Sequence, residues 1–359
     1  MKEEIVSYHD EAYIDYICDY FKNPEKTKRI ERFGVGVSAD TPIFPKFFDF
    51  CQLISGSSIL AGEILNHGKH DVVINWMGGY HHAKRSRASG FCYVNDIVLG
   101  ILRLLDQYDR VMYVDIDVHH GDGVEEAFAS CDRVLTLSMH QYDETTKFFP
   151  GTGNFDDIGK DEGIYTAINV PLRPGCDSDS FKYIFEKVFD RACRAFRPSA
   201  IWMQCGADSL SEDIIGSFRV GTKGHGECVR KVLSMKLPTV LCGGGGYKIE
   251  NVARCWAYET SIALNEELPE KLPSNLYFQD YYSSNSNLHV IEAARKENNG
   301  EVYWRQRENK NFAIYNDKVY PDKVINNVYA NISKLEASVQ SRVSLRSQVD
   351  PSLAKYVKI

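Results

Sequence analysis

The sequence lacks any apolar stretch long enough to cross a membrane, and its first residues, Met-Lys-Glu-Glu, lack the apolar core of a signal peptide. It also lacks an excess of positive charge, because 42 lysine and arginine residues face 49 aspartate and glutamate residues. The formal net charge of −7 argues against a domain that holds nucleic acid by bulk electrostatics. The ten cysteines form no Cys-x-x-Cys pair, and we therefore expect a reduced intracellular protein without structural disulfides.

What the sequence does contain is an alternation of apolar, β-branched runs with helix-like runs. The runs predicted as strands are 71–77, 111–117, 133–140, 200–206 and 239–243. This order predicts an α/β fold of three layers, with helices on both faces of an open, mostly parallel sheet. Polar residues dominate from residue 284 onward, so we expect one domain over residues 1–283 and a polar, partly disordered tail over 284–359.

The segment 111–123 is the most informative part of the chain. Its first half is apolar and β-branched, which is typical of a buried parallel strand. Five titratable residues then fall within eight positions, namely Asp115, Asp117, His119, His120 and Asp122. The strand period of two places Asp115, Asp117 and His119 on one side, at the end where open α/β sheets bind ligands. One such residue is common at a strand end, but five together predict a metal or catalytic site.

Polar groups also follow three other predicted strands, as His81 and His82, as Asp208, and as Tyr247. The carboxyl ends of parallel strands meet at one edge of the sheet, so residues far apart in sequence can converge there. Asp117, His119 and Asp208 make a set of three ligands that leaves one position open for water and substrate, as in catalytic zinc sites. The same ligands would accept Fe²⁺ or Co²⁺. A nearby histidine could then move a proton of the activated water.

Seven motifs carry a resemblance to a known family, namely 78–84 (GGYHHAK), 88–96 (ASGFCYVND), 115–125 (DIDVHHGDGVE), 148–153 (FFPGTG), 204–210 (QCGADSL), 243–247 (GGGGY) and 251–256 (NVARCW). Through them the sequence resembles the histone deacetylases, and within these the class I group, from about residue 7 to residue 278. The resemblance implies the arginase–deacetylase fold and the zinc-dependent hydrolysis of N6-acetyl-lysine in histones and other proteins, with release of acetate. It further implies a chromatin regulator that represses transcription in the nucleus, and also occurs in the cytoplasm. Its expected partners are acetylated histone tails and a co-repressor complex, with no direct nucleic acid and no membrane.

The resemblance implies a role for each residue of the site. The implied zinc ligands are Asp117, His119 and Asp208. His82, oriented by Asp122, would be the general base and acid. His81, paired with Asp115, would stabilise charge. Tyr247 would donate its hydroxyl to the substrate carbonyl and to the developing oxyanion.

The resemblance also implies a narrow tunnel for the aliphatic stem of lysine, with a rim aspartate that binds the substrate backbone. The implied substrate contacts are Asp40 at the rim, then Gly90, Phe91, Phe149, Ile215 and Gly245. Two structural K⁺ sites are implied too. The first would be formed by Asp115, Asp117, His119, Ser138 and Met139, and the second by Phe128, Cys131 and Val134.

The sequence departs from the family pattern in three ways. The family's domain begins several dozen residues earlier, with a strand and a helix that include an arginine at the floor of the active site, so we expect an N-terminal strand and helix to be missing. Ile214 and Glu250 stand where members bound to co-repressors use basic residues to hold an inositol phosphate. A glutamate repels phosphate, which weighs against that site. The loop 141–147 is slightly longer than usual.

Two other interpretations of the activity stay open beside a protein lysine deacetylase. One is a deacetylase of a small acetylated amine. Relatives specific for polyamines carry an acidic residue at the position of Ile215, so an apolar residue there favours peptide substrates. The other is a catalytically impaired scaffold subunit, although every implied zinc ligand is present. Arginase-like binuclear manganese chemistry needs further acidic and histidine ligands that the sequence does not offer.

Overall fold

A six-stranded sheet forms the centre of the computed structural model. The structure describes residues 2–20, 31–145, 147–274, 282, 285–291, 296–298, 301–306, 310–313 and 319–348, with side chains described up to 291 and again over 320–340. The central strands are β1 Val72–Asn75, β2 Val111–Asp115, β3 Val134–Gln141, β4 Ala167–Leu172, β5 Ala200–Gln204 and β6 Thr239–Cys242. All neighbours pair in parallel, in the order β1-β6-β5-β2-β3-β4. The predicted open parallel sheet is therefore confirmed.

Helices surround this sheet. They are α1 Lys2–Ile5, α2 Glu11–Asp19, α3 Phe47–Asn66, α4 Asp96–Leu104, α5 Asp122–Phe128, α6 Ser178–Phe196, α7 Thr222–Leu233, α8 Ile249–Leu264 and α9 Val319–Gln348. Short 3₁₀ helices lie at Glu31–Phe33, Asp161–Gly163 and Ala207–Ser209, and a separate antiparallel sheet joins β7 Lys296–Asn298, β8 Glu301–Gln306 and β9 Lys310–Ala313. Among the described residues, none of the helices is both long and apolar enough to span a membrane.

The side chains of the central strands alternate between two apolar cores, one on each face of the sheet. In β2, Met112 and Val114 contact the core that α6, α7 and α9 cover. Val111 and Tyr113 face the opposite core, which α3, α4 and α5 cover. The alternation follows from the strand period of two. Helices on both faces of the parallel sheet confirm the predicted three-layer α/β fold.

Strand β4 was not predicted from the sequence. It contains Asn169 and Pro171, and both residue types are depleted in strands. In the described part of the chain, β4 lies at the edge of the central sheet and pairs with β3 alone. A proline is tolerated at a sheet edge, because an edge strand has one side on which no neighbouring strand needs its N–H groups. The edge position of β4 therefore explains how a segment with low strand propensity forms a strand.

Helix α9 lies within the polar segment 284–359 that the sequence predicted as a tail. Its buried side chains enter the same core as those of α6, at Val324, Ile325, Val328, Ile332 and Leu335. Arg191 of α6 also pairs with Glu336 of α9, and its guanidinium lies over the ring of Tyr329. The spacing of the five apolar residues is helical, but polar neighbours obscure it. The domain boundary at residue 283 stays a prediction.

A buried histidine joins the N-terminal helices to the loop that follows β1. His9 lies between α1 and α2 and donates from Nδ1 to the carbonyl of Arg85 at 3.0 Å. Its Nε2 accepts from the backbone N–H of Asn95 at 2.9 Å. The Asn95 side chain in turn donates to the carbonyls of His81 and Ala83 at 3.3 and 3.0 Å. Neutral His9 therefore helps to hold the segment that carries the two histidines of the predicted site.

This arrangement predicts a contribution of His9 to acid sensitivity. Burial lowers the pKa of His9 to about 4, whereas an unfolded histidine titrates near 6.5. The unfolded chain then binds a proton that the folded chain does not, so this contribution is complete above pH 6.5 and is lost as the pH falls towards 4. In His9→Gln, the drop in free energy of unfolding between pH 7 and pH 4 should be smaller by up to about 3 kcal/mol. Urea denaturation at several pH values measures it, with the exposed His70→Gln as control. Equal pH profiles for His9→Gln and the wild type would contradict this role.

Candidate metal centre and active site

Three side chains converge at the carboxyl ends of β2 and β5, which are neighbours in the sheet. The Nδ1 atom of His119 lies 2.9 Å from Oδ2 of Asp208 and 3.1 Å from Oδ1 of Asp117. One ligand atom from each residue falls within 4.8 Å of the other two. All three residues are buried. The structure therefore brings together the three residues that the sequence predicted as metal ligands.

The charges of this group fit a bound cation. Burial acts to lower the pKa of His119, but Asp208 and Asp117 outweigh it and raise the pKa to about 10. Burial and the charge on Asp117 raise the pKa of Asp208 to about 8. Two buried carboxylates thus share one imidazole, and the raised pKa of Asp208 reflects the repulsion between them. A divalent cation would relieve this repulsion, and oxygen and imidazole donors are suitable ligands for it.

Hydrogen bonds from neighbouring groups orient each carboxylate. Oδ2 of Asp117 accepts from the side chain of Gln204 and from the backbone N–H of Gly245, both at 2.8 Å. Oδ1 of Asp208 accepts from the backbone N–H of Val118 at 2.8 Å. The remaining oxygens, Oδ1 of Asp117 and Oδ2 of Asp208, face His119. Such outer contacts fix ligand geometry, and the role of Gln204 was not predicted from the sequence.

Two histidine–carboxylate pairs lie beside this group. Nδ1 of His82 contacts Oδ1 of Asp122 at 2.7 Å, and Nδ1 of His81 contacts Oδ2 of Asp115 at 2.8 Å. The centroids of these two imidazole rings are 4.0 Å apart, and the ring centroid of His82 lies 5.9 Å from that of His119. These are the pairings that the resemblance implied.

The two histidines differ in protonation. Burial acts to lower the pKa of His81, but Asp115 and Asp117 raise it to about 9. Burial and the charge on His81 lower the pKa of His82 to about 3. Near neutral pH, these pKa values leave His81 protonated and His82 neutral. Nζ of Lys84 lies 2.7 Å from Oδ2 of Asp122 and helps to keep that carboxylate ionised. In the sequence, the only signal for this contact is the position of Lys84 within the motif 78–84.

A cavity of about 340 Å³ leads to these groups, and its walls are aromatic. It is lined by Asp40, His82, Gly90, Phe91, His119, Phe148, Phe149, Ile215 and Tyr247. The exposed fractions of Phe91, Phe149 and Ile215 are 45%, 41% and 40%, which places them at the open end. The ring of Phe148 stacks on His119 at 5.2 Å, a contact that the sequence did not predict.

Tyr247 lies between this cavity and a second one of about 260 Å³. Its backbone N–H donates to Asp213 at 2.8 Å. Burial, and then the charges of Asp208 and Asp117, raise the pKa of its hydroxyl well above the usual value, so the hydroxyl stays protonated. Gly245, predicted as a substrate contact, lies in the wall of the second cavity.

The residues implied for K⁺ lie on β2 and in the turn after it, on β3, at the end of α5 and in the connection between α5 and β3. Asp115 and Ser138 are paired in the β2–β3 register, and the Ser138 hydroxyl lies 2.9 Å from Nδ1 of His140. In the connection, the N–H of Cys131 donates to the carbonyl of Phe128 at 2.8 Å. K⁺ binding stays a prediction.

Comparisons with known proteins agree with this geometry. A family model described as "Histone deacetylase domain" matches residues 1–263. The chain is 48% identical to histone deacetylase 1 of Homo sapiens over 303 residues, 84% of this chain and 62% of that protein. It is 46% identical to the Drosophila melanogaster protein named "Histone deacetylase HDAC1" over 312 residues, 86% of this chain and 59% of that protein. It is 48% identical to histone deacetylase 3 of Oryza sativa over 297 residues, 82% of this chain and 57% of that protein. The chain thus spans about three fifths of the length of these relatives.

The converging carboxylates lead to a prediction about metal content. Asp208→Asn keeps the shape of the side chain but removes one anionic ligand, so the purified variant should lose its bound divalent metal on dialysis. Asp40→Asn, at the open end of the cavity, should retain it. Elemental analysis of the two variants and the wild type measures this. Stoichiometric metal in Asp208→Asn would rule Asp208 out as a ligand.

Proposed function

The chain belongs to the histone deacetylase family, and we propose that it hydrolyses N6-acetyl-lysine in histones and other proteins and releases acetate. One observation carries this proposal: Asp117, His119 and Asp208 converge beside His82, and both histidines line a cavity with aromatic walls. All residues of the proposed site lie between positions 40 and 247. We therefore assign catalysis to a domain over residues 1–283.

Asp117, His119 and Asp208 would hold Zn²⁺, and Fe²⁺ or Co²⁺ are chemically acceptable alternatives. When bound, the ion supplies Lewis acidity, which acidifies water and polarises a carbonyl group. The hydrogen bonds from Gln204, Gly245 and Val118 preset the two carboxylates for this ion.

His82 would take the proton of the attacking water and return it to the leaving lysine amine. Asp122 accepts the Nδ1–H of His82, which leaves Nε2 as the basic nitrogen. His81 stays protonated against Asp115 and would offset negative charge that develops in the transition state. The two pairs thus differ in role because they differ in charge.

Tyr247 would donate its hydroxyl to the substrate carbonyl oxygen. The hydroxyl is held protonated, and Tyr247 lines the same cavity as His82 and His119. A donor that meets the developing oxyanion contributes more in the transition state than in the ground state.

The cavity would accept the four-carbon stem of lysine between Phe91 and Phe149. Gly90 keeps this passage open, because a Cβ atom there would lie 2.8 Å from the Phe149 ring and 2.5 Å from that of His82. Asp40, at the rim, would accept hydrogen bonds from the substrate backbone. The apolar Ile215 beside it favours a peptide over a polycation.

The family also supplies our proposals for substrate, partner, cellular location and structural ion. We assign acetylated histone tails as substrates, a co-repressor complex as partner, the nucleus as location and K⁺ as structural ion at the two predicted sites. Ile214 and Glu250 weigh against binding of an inositol phosphate. The complete set of ligands and proton-transfer groups favours an enzyme over an inactive scaffold subunit.

Tyr247→Phe tests the mechanism. The variant should keep its fold and its zinc content but lose turnover of an acetyl-lysine peptide by roughly 100- to 1,000-fold, as expected for one oxyanion donor. Peptide deacetylation by the purified 359-residue wild type, measured with zinc content, is the reference and tests the function itself. A rate within about twofold of wild type would remove this role from Tyr247.

Ile215→Glu tests the substrate class. A carboxylate at the rim attracts a second cation, so turnover of an acetylated polyamine should rise relative to turnover of the peptide. Ile215→Gln controls for size without charge. If the wild-type chain already prefers the polyamine, the peptide assignment fails and the small-amine deacetylase replaces it.

A further inference from the structure

A second buried group of ionisable side chains lies behind the metal centre. Within the residues that the structure describes, it is the other group of three whose potential ligand atoms fall within 4.8 Å of one another. It consists of His225 on α7 and of Cys255 and Glu259 on α8, and all three are fully buried. None of them lines either cavity at the active site.

Both nitrogens of His225 face hydrogen-bond acceptors. Nε2 donates to the backbone carbonyl of Gly206 at 2.9 Å. Nδ1 contacts Oε1 of Glu259 directly, and the Cys255 sulfur lies 3.5 Å from the same nitrogen. Because the carbonyl of Gly206 can only accept, Nε2 must carry a proton, and the proton at Nδ1 is shared with the carboxylate. The Glu259–His225 pair therefore presents a fixed N–H to Gly206.

Gly206 lies two residues before Asp208, in the turn that follows β5. The preceding carbonyl, of Cys205, accepts from the indole N–H of Trp256 at 2.9 Å. The N–H of Gly206 donates to the Gln204 side chain at 2.8 Å. A Cβ atom at Gly206 would lie 2.1 Å from Oδ2 of Asp117, so this backbone packs directly against a second proposed ligand. A small rotation of the Gly206 peptide would displace both carboxylates.

The geometry does not favour a second metal site at this group. Nε2 is engaged by a carbonyl, so Nδ1 alone could bind an ion, and Nδ1 is already in direct contact with the carboxylate of Glu259. A nucleophilic role for Cys255 is equally unsuitable, because the thiol is fully buried and burial raises its pKa to about 11. What remains is the hydrogen bond to Gly206.

We propose that Glu259 and His225 are positioning residues that hold the Gly206 carbonyl, and through it Asp208, in the arrangement required for metal binding. The inference rests on the proposed metal-dependent function. Outer partners of this kind typically change metal affinity by 10- to 100-fold. Because neither residue reaches the substrate cavity, the Michaelis constant should not depend on them.

Two matched double variants separate positioning from general stability. In His225→Gln/Glu259→Gln, the longer amide can reach the place of Nε2 and donate to Gly206. In His225→Asn/Glu259→Gln, the shorter amide reaches the place of Nδ1 and leaves the Gly206 carbonyl without its donor. Both remove the buried charge pair, so neither leaves an unpaired ion in the core. Cys228→Ala, buried on α7 one turn from His225, is the control for lost packing.

Zn²⁺ affinity is measured by competition with a chromogenic chelator, together with the melting temperature of the metal-free proteins and the kinetics on an acetyl-lysine peptide. The Gln/Gln variant should bind Zn²⁺ within about threefold of wild type, and the Asn/Gln variant roughly 10- to 100-fold more weakly. Under saturating Zn²⁺, KM should be unchanged in both. Cys228→Ala should lower the melting temperature without changing Zn²⁺ affinity.

Equal Zn²⁺ affinities in the Gln/Gln and Asn/Gln variants would overturn the inference, as would an affinity that follows melting temperature across all variants. Two Zn²⁺ ions per wild-type chain and one in Gln/Gln would overturn it in favour of a second metal site. If the Asn/Gln variant does not fold, His225→Leu/Glu259→Leu takes its place in the comparison, because this variant also lacks the donor to Gly206. If the wild-type chain binds Zn²⁺ and deacetylates the peptide, but the Gln/Gln and Asn/Gln variants have equal Zn²⁺ affinities, only this inference is refuted and the proposed function stands. A wild-type chain that does neither refutes the proposed function.

Discussion

The burial of several carboxylates at one edge of the sheet is the constraint on which the rest of the site depends. An ionised carboxylate is costly to bury unless it is paired. Asp115 is paired with His81, and Asp122 with His82 and Lys84. Asp117 and Asp208 share His119, and burial together with the charge on Asp117 raises the pKa of Asp208. The repulsion between carboxylates is therefore greatest at this one place, and that place is where a cation fits.

The strand order brings these charges together. Strand β5 lies between β2 and β6, so the turns after these three strands are adjacent and supply Asp117, Asp208 and Gly245. Gly245 must lack a side chain, because a Cβ atom would lie 2.1 Å from Oδ2 of Asp208. Backbone thus replaces side chain where the turns meet, and its N–H groups serve as hydrogen-bond donors to the carboxylates. The glycine-rich segment 243–247 is part of the polar machinery and not only a turn.

The sequence was sufficient to predict the parallel sheet and the residues that meet in the site, since strand ends carry a strong local signal at positions 115–122. It was insufficient for β4, where Asn169 and Pro171 contradict strand propensity and the edge position alone permits them. It was also insufficient for Lys84, Phe148 and His9, whose contacts depend on which loops become neighbours in space. Propensity and spacing carry no information about such neighbours. The buried face of α9 was present as a period in the sequence, but the polar residues around Val328 and Ile332 concealed it.

Helix α9 has a consequence for biosynthesis. Its apolar residues cover α6, and Asn331 donates to the carbonyl of Phe155 in the loop that continues from Phe149. During translation, α6 is made more than a hundred residues before α9, and its outer surface stays uncovered throughout that interval. Nascent chains with such exposed apolar surface are prone to aggregate. A ribosome stalled before residue 319 would therefore display all six strands of the central sheet without the cover that α9 provides, and chaperone occupancy on nascent chains should end only once residues 324–335 have emerged.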